Sequence, residues 1–111
     1  MKTLALQSHD QLESIKTDKG YSVIFKHNTT CPISKNTREN FERDLEVLPQ
    51  ETPVYFLDLL NYREISNAIA EDFNVTHESP QLLLIKDGKC TFHQSLYDIS
   101  ASETAQAMGS K

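Results

Sequence analysis

Two runs in this chain are too continuously apolar to lie at a half-wet surface. Tyr21-Ser22-Val23-Ile24-Phe25-Lys26 and Gln81-Leu82-Leu83-Leu84-Ile85-Lys86 are short, strand-like and largely without in–out alternation. Runs of that kind fit strands covered on both faces. The covers are supplied by stretches with helical spacing. Ser8 and Gln11 form a capping-box pattern that opens a helix to about Lys16, with Leu12 and Ile15 inward. Asp18-Lys19-Gly20 marks a turn. A helix after Cys31 carries Ile33, Thr37, Phe41, Leu45 and Leu48 on one face and stops at Pro49. Asn61 and Glu64 look like a further capping pair, ahead of Ile65, Ala68, Ile69 and Phe73.

Two more strands are expected at Thr3–Leu6 and Pro53–Asp58, and a third at Lys89–Gln94. Asp87-Gly88 between apolar runs predicts a two-residue hairpin, which pairs Lys86 with Lys89 and Ile85 with Cys90. Ser100 and Glu103 open a last helix. The order is βαβαβαββα. With 111 residues it predicts one α/β domain over 1–111, a central mixed sheet with helices on both faces.

Composition narrows the function. Net charge is −5 and the basic residues are scattered, which excludes a basic stripe for nucleic acid. No apolar run approaches the ~20 residues of a membrane span. The first ten residues, with one lysine and a very short apolar stretch, do not read as a secretory signal. Two cysteines, Cys31 and Cys90, then read as reduced thiols in a cytoplasmic protein rather than as a structural bridge.

Thr30-Cys31-Pro32-Ile33-Ser34 is the stretch that carries chemistry. It stands between a strand and a helix. A cysteine there meets the unpaired N–H groups and positive dipole end of the helix, which favour a thiolate. A small buried apolar cysteine is the commoner fate of a free thiol. The junction and the following proline favour the nucleophile. Pro32 suits the first helical turn because it has no N–H to lose. Ser34 stands where a C-x-x-C motif has its resolving cysteine. It can donate a hydrogen bond to the thiolate or cap the helix. Thr30 reads as a turn residue rather than a catalyst. His27 reads as a solvated loop histidine, and Lys35 as a solvated helix residue that could favour an anionic ligand. One residue too many separates Cys31 from Arg38 for a phosphatase loop. His9, His27, His77 and His93 show no metal-ligand spacing, so no metal is expected. Cys90 falls about five strand residues from Pro80, roughly 16 Å at ~3.3 Å each. A disulfide needs Cα atoms within ~7 Å, so Cys90 is expected to be structural.

The strand, the helix-terminal cysteine, the βαβ crossover, Ser79-Pro80 ahead of a strand, the hairpin and the final helix together resemble the thioredoxin fold over nearly the whole chain. Thr30-Cys31-Pro32 resembles the motif of glutaredoxins. The full Thr-Cys-Pro-Ile-Ser string is similar to that of the monothiol bacilliredoxins of low-GC Gram-positive bacteria. Phe25 replaces the buried acid of thioredoxins, and Thr30 their tryptophan. Glu78-Ser79 precedes the proline where glutaredoxins have T-V-P. With no Gly-Gly in the chain, the sequence argues against glutathione as the ligand.

The bacilliredoxin resemblance implies a thiol-disulfide oxidoreductase. Cys31 would remove bacillithiol from bacillithiolated cytosolic proteins, with bacillithiol as thiol co-substrate and no tightly bound cofactor. A second bacillithiol or a partner reductase would regenerate the thiol. It also implies that Ser79-Pro80 is a cis bond beside the nucleophile, and that Thr30, Pro32, Ser34, Ser79 and Pro80 form the substrate-binding surface. A different class stays open on the residues alone. The missing resolving cysteine and buried acid also fit a thioredoxin-like binding or chaperone module without turnover.

Overall fold

The computed structural model describes residues 2–109. Five strands, β1 (Lys2–Ala5), β2 (Tyr21–His27), β3 (Pro53–Asp58), β4 (Gln81–Lys86) and β5 (Lys89–Ser95), form one sheet in the order β1-β3-β2-β4-β5. β1, β3 and β2 run parallel, and β4 and β5 are added antiparallel. The helices are α1 (His9–Thr17), α2 (Pro32–Arg43), α3 (Arg63–Asp72) and α4 (Ala101–Ala107). This is the βαβαβαββα order that the sequence predicts.

The sheet separates two apolar layers. On one face Phe25, Phe41 and Phe56 form a trio with ring centroids 5.2–6.5 Å apart, among Val23, Leu82, Leu84 and Ala105. On the other, Ile24, Leu57, Leu83 and Ile85 pack with Leu12 and Ile15 of α1 and Ile65 and Ile69 of α3. Full burial of each such side chain stabilises by about 1.5–3 kcal/mol. The neighbours Phe25 and Ile24 therefore belong to different layers, which is why β2 shows no alternation.

The local signals behave as their chemistry dictates in most places. Ser8 and Gln11 close a reciprocal capping box, and Ser100 Oγ accepts from the Glu103 N–H at 3.1 Å. Asp87 and Gly88 both have positive φ (53° and 75°), as a type I′ hairpin turn requires. A Cβ on Gly88 would also stand 2.9 Å from the Lys16 carbonyl oxygen. The hairpin pairs Ile85 with Cys90, then slips by one residue so that Leu84 faces Phe92.

Two local expectations are corrected. α2 ends at Arg43, and a 3₁₀ turn over Leu45–Val47 carries Leu48 into the core. Its buried face is Ser34, Thr37 and Phe41. Ile33, about 100° round the helix from Ser34, is exposed. Asn61 does not cap α3, whose N-cap is Tyr62 without a side-chain bond. The Asn61 amide donates to Asp58 Oδ2 instead, at 2.7 Å, and Asp58 Oδ1 accepts from the Leu60 N–H. The carboxylate at the end of β3 takes the polar groups of this loop before the helix begins.

Candidate active site

Asn28 organises the turn that presents Cys31. Its Oδ1 accepts from the Thr30 N–H (2.9 Å) and the Thr30 hydroxyl (2.7 Å), and its carbonyl accepts from the Cys31 N–H (3.1 Å). Its own N–H donates to Ser34 Oγ at 2.9 Å. Such a network is what an Asx turn offers a loop that must leave a strand and start a helix. Sequence reasoning misses Asn28. An Asn two residues before a Thr, at a strand exit, is the signal that could find it.

Cys31 is the N-cap of α2, extended at φ −102° and ψ 120°, and half-exposed. No side chain caps the helix. Pro32 has no N–H, so Ile33 and Ser34 carry the free amides of the first turn toward the thiol end. Ser34 is fully buried, and the bond shown for its hydroxyl is the one from Asn28. It therefore ties the turn to the helix. Thr30 and Pro32 are exposed on either side of the cysteine.

The second half of the site comes from β4. Lys26 of β2 pairs with Gln81 of β4, so the exit of β2 toward Cys31 and the entry to β4 through Ser79-Pro80 lie at the same end of the sheet. Ser79-Pro80 is a cis bond. Ser79 is half-exposed and Pro80 buried, with its carbonyl accepting from the Leu96 N–H at 3.0 Å. Leu96 begins a 3₁₀ turn, Leu96–Asp98, that packs against α2. Ile33, Leu96 and Tyr97 are exposed here, Tyr97 by 79%. Together with Val47 they are the large exposed apolar residues among those described.

His27 is not the solvated loop histidine that the sequence predicts. It ends β2, is buried, and its Nε2 lies 2.9 Å from Arg38 Nη1. Burial and the nearby guanidinium push its pKa down, so it is a neutral acceptor at pH 7. Arg38 also stacks 4.2 Å over the Phe56 ring and bonds Glu42. Its role is to seal one flank of the aromatic layer. A polar groove of about 440 Å³ runs beside it, walled by Thr29, His27, Arg38, Asp58 and Tyr62. Lys35 stays exposed one turn after Cys31.

Phe25, at the position of the thioredoxin acid, lies in the phenylalanine trio. Its neighbour Lys26 is buried on the other face, with its Nζ 3.1 Å from the Ser66 carbonyl oxygen and 3.3 Å from His77 Nδ1. Nothing in the sequence hints at this beyond phase, since Lys26 is two residues on from inward-facing Ile24. Cys90 is half-buried against the layer of α1 and α3, and its thiol donates to the Phe92 carbonyl at 3.4 Å. Burial pushes its pKa up. Among the described residues no group of three or more His, Cys, Asp or Glu side chains is arranged to hold a metal. None of the described helices is long and apolar enough to cross a membrane.

The arrangement presents a half-exposed sulfur at a helix N-terminus, at the sheet end where exposed apolar side chains also lie. Comparison with known proteins gives the family and the fold. Residues 4–104 match the family model of the monothiol bacilliredoxins. A solved structure assigned as an oxidoreductase with a thioredoxin fold is 34% identical, with a TM-score of 0.83 over 95% of this chain and 92% of that one. The thioredoxins of Malassezia sympodialis (16% identity, TM-score 0.74, covering 97% of this chain and 89% of that one) and Fasciola hepatica (20%, 0.70, covering 98% and 97%) share the fold.

Proposed function

We infer, for a chain that belongs to the monothiol bacilliredoxin family, that Cys31 removes bacillithiol from cysteines of other proteins. The Cys31 thiolate attacks the bacillithiol sulfur of a protein–bacillithiol disulfide in line. That S–S bond breaks, a new one joins Cys31 to bacillithiol, and the target cysteine leaves as a thiolate that takes a proton from water. A second bacillithiol thiolate, or a reductase, then attacks the adduct at the bacillithiol sulfur. Cys31 is released, and the bacillithiol is carried off as a disulfide with the attacking thiol.

The observation that carries this reading is the pairing of Cys31 with Ser34. The nucleophile sits half-exposed at a helix N-terminus, while the residue one turn on is a buried hydroxyl that cannot resolve the disulfide. The adduct therefore waits for an external thiol. Thr30 and Pro32 adjoin the cysteine along the chain, the Ser79-Pro80 segment lies at the same end of the sheet, and the exposed Ile33, Leu96 and Tyr97 would give a protein substrate an apolar rim. Ser34 acts through the turn that it anchors. The substrates are cytoplasmic proteins bacillithiolated under oxidative stress.

Phe25 favours one competing reading, a thioredoxin-like binding module, because an apolar ring stands where thioredoxins have their buried acid. Mass spectrometry separates the two. After exposure to bacillithiol disulfide, the reduced protein should carry one bacillithiol on Cys31, and free bacillithiol should remove it. No adduct on Cys31 would leave the binding module as the better account.

A further inference from the structure

Lys26 is fully buried, and both partners of its amine are neutral acceptors, the Ser66 carbonyl of α3 and Nδ1 of His77. Among the described residues no carboxylate lies within ion-pair distance of it. A charge withdrawn from water in this way is a burden on the fold, and an apolar side chain of the same length would fill the layer as well. The amine calls for a reason outside packing. Its second bond points to one. His77 is an exposed residue of the segment between α3 and β4, three residues before Pro80. Gln81, buried opposite Lys26 across the β2–β4 pair, holds the same segment. Its Nε2 donates to the Thr76 carbonyl at 2.9 Å, and its Oε1 accepts from the Glu78 N–H at 3.5 Å. Two buried polar side chains facing each other under the sheet end thus grip three consecutive loop residues.

We propose that Lys26 is a positioning residue, which through His77 and together with Gln81 fixes the 76–80 segment as one wall beside Cys31. It sets how well a protein disulfide docks and leaves the sulfur's own reactivity alone. The docking part rests on the redox reading above; the linkage itself does not.

The link needs His77 Nδ1 as an acceptor, with the ring proton on Nε2. Protonation of the ring would set an N–H against the Lys26 amine and open the link. The groups that face the pair are Ser66 and Arg63 of α3, Gln81 of β4, and Glu78 of the segment itself; Leu57 of β3 brings no charge. Partial desolvation of the inner edge of this otherwise exposed ring, then Lys26 and Arg63, push the His77 pKa down against the smaller pull of Glu78. The link is therefore closed at neutral pH and opens in acid, below the usual histidine range.

The test compares the wild-type protein with His77→Ala, His77→Gln and Lys26→Met. Two readouts are amide hydrogen exchange at Glu78 and Ser79, and the rate of Cys31 exchange with a bacillithiolated protein set against its alkylation by iodoacetamide. Loss of one bond to a charged donor should speed amide exchange and slow protein exchange roughly tenfold each in His77→Ala and Lys26→Met, with alkylation unchanged. His77→Gln offers a neutral acceptor, so it should restore the neutral-pH rates and lose the acid fall of the wild-type ratio of protein exchange to alkylation. Amide exchange in His77→Ala equal to wild type overturns the linkage. So does an acid fall of that ratio that survives in His77→Gln. Alkylation that falls in step with protein exchange overturns the positioning role. If Lys26→Met does not fold, the two His77 variants decide. A wild-type protein that exchanges with no disulfide sinks the redox reading, and amide exchange still decides the linkage.

Discussion

Cys31 and Cys90 are both half-exposed, yet the molecule treats them as different functional groups. Cys31 stands at the N-terminus of a 12-residue helix, in a turn whose polar groups are drawn inward by Asn28, so that the free helix amides are left for the sulfur. Cys90 lies on β5, opposite Ile85 in the hairpin. It packs against the apolar layer of α1 and α3 and donates a hydrogen bond to the Phe92 carbonyl. The layer around Cys90 favours the neutral thiol, whereas Cys31 stands at the open end of a helix. Exposure alone therefore says little about a thiol.

The harshest test of this contrast is deletion. Cys31→Ala should abolish release of bacillithiol from a modified protein, measured as free target thiol. Release that persists in this variant would move the chemistry to Cys90 and end the comparison.

A less drastic change alters the fate of the adduct. Ser34→Cys puts a second sulfur one helical turn from the first. We expect an internal disulfide between Cys31 and the introduced thiol on oxidation, and less of the bacillithiol adduct, both read from intact mass. In the reduced state the variant should lose about 1 kcal/mol with the Asn28–Ser34 bond. An oxidised protein with the adduct and no internal bridge would show that the buried position of Ser34 holds a thiol out of reach.

A graded comparison comes from alkylation. At neutral pH iodoacetamide should label Cys31 well ahead of Cys90, and the gap should narrow as pH rises and the Cys90 thiol ionises. Peptide mapping by mass spectrometry gives both rates in one sample. Equal labelling at neutral pH would mean that the helix terminus confers nothing.

The smallest effect is expected from Cys90→Ala. Activity should be unchanged, and stability at pH 7 should fall by up to about 1 kcal/mol, since a half-buried sulfur is lost. The pH dependence has a definite sign. Folded Cys90 keeps its proton above the ordinary value of 9.0, while the unfolded chain releases it there. The unfolded state then binds fewer protons, so wild-type stability declines as pH rises past that value. The alanine variant lacks this decline, and the two denaturation midpoints should converge at alkaline pH. Divergence instead would mean that Cys90 is not the neutral packing group described here.

Much of this was written in the sequence because it depends on neighbours along the chain. Turn chemistry at Asp87-Gly88, the caps at Ser8 and Ser100 and the apolar runs of β2 and β4 act over a few residues, and they returned the element order and the first two pairs of the β4–β5 ladder, up to the slip beyond Ile85. The Cys31-Pro32-Ile33-Ser34 motif is equally local, since a nucleophile at a helix start needs only the strand before it and the helix after it. Even the misplaced cap at Asn61 failed locally, where Asp58 competed for the same amide.

The tertiary structure alone decided which face each side chain met. β2 is covered on both sides, so nothing in its pattern says that Phe25 enters an aromatic trio while Lys26 reaches under the sheet to Ser66 and His77, 40 and 51 residues away. The bond from Arg38 to His27, the packing of the Leu96–Asp98 turn against α2, and the grip of Gln81 on Thr76 arise in the same way. Each joins groups that the chain brings together only by folding, and a buried polar group takes whatever partner the surrounding elements supply.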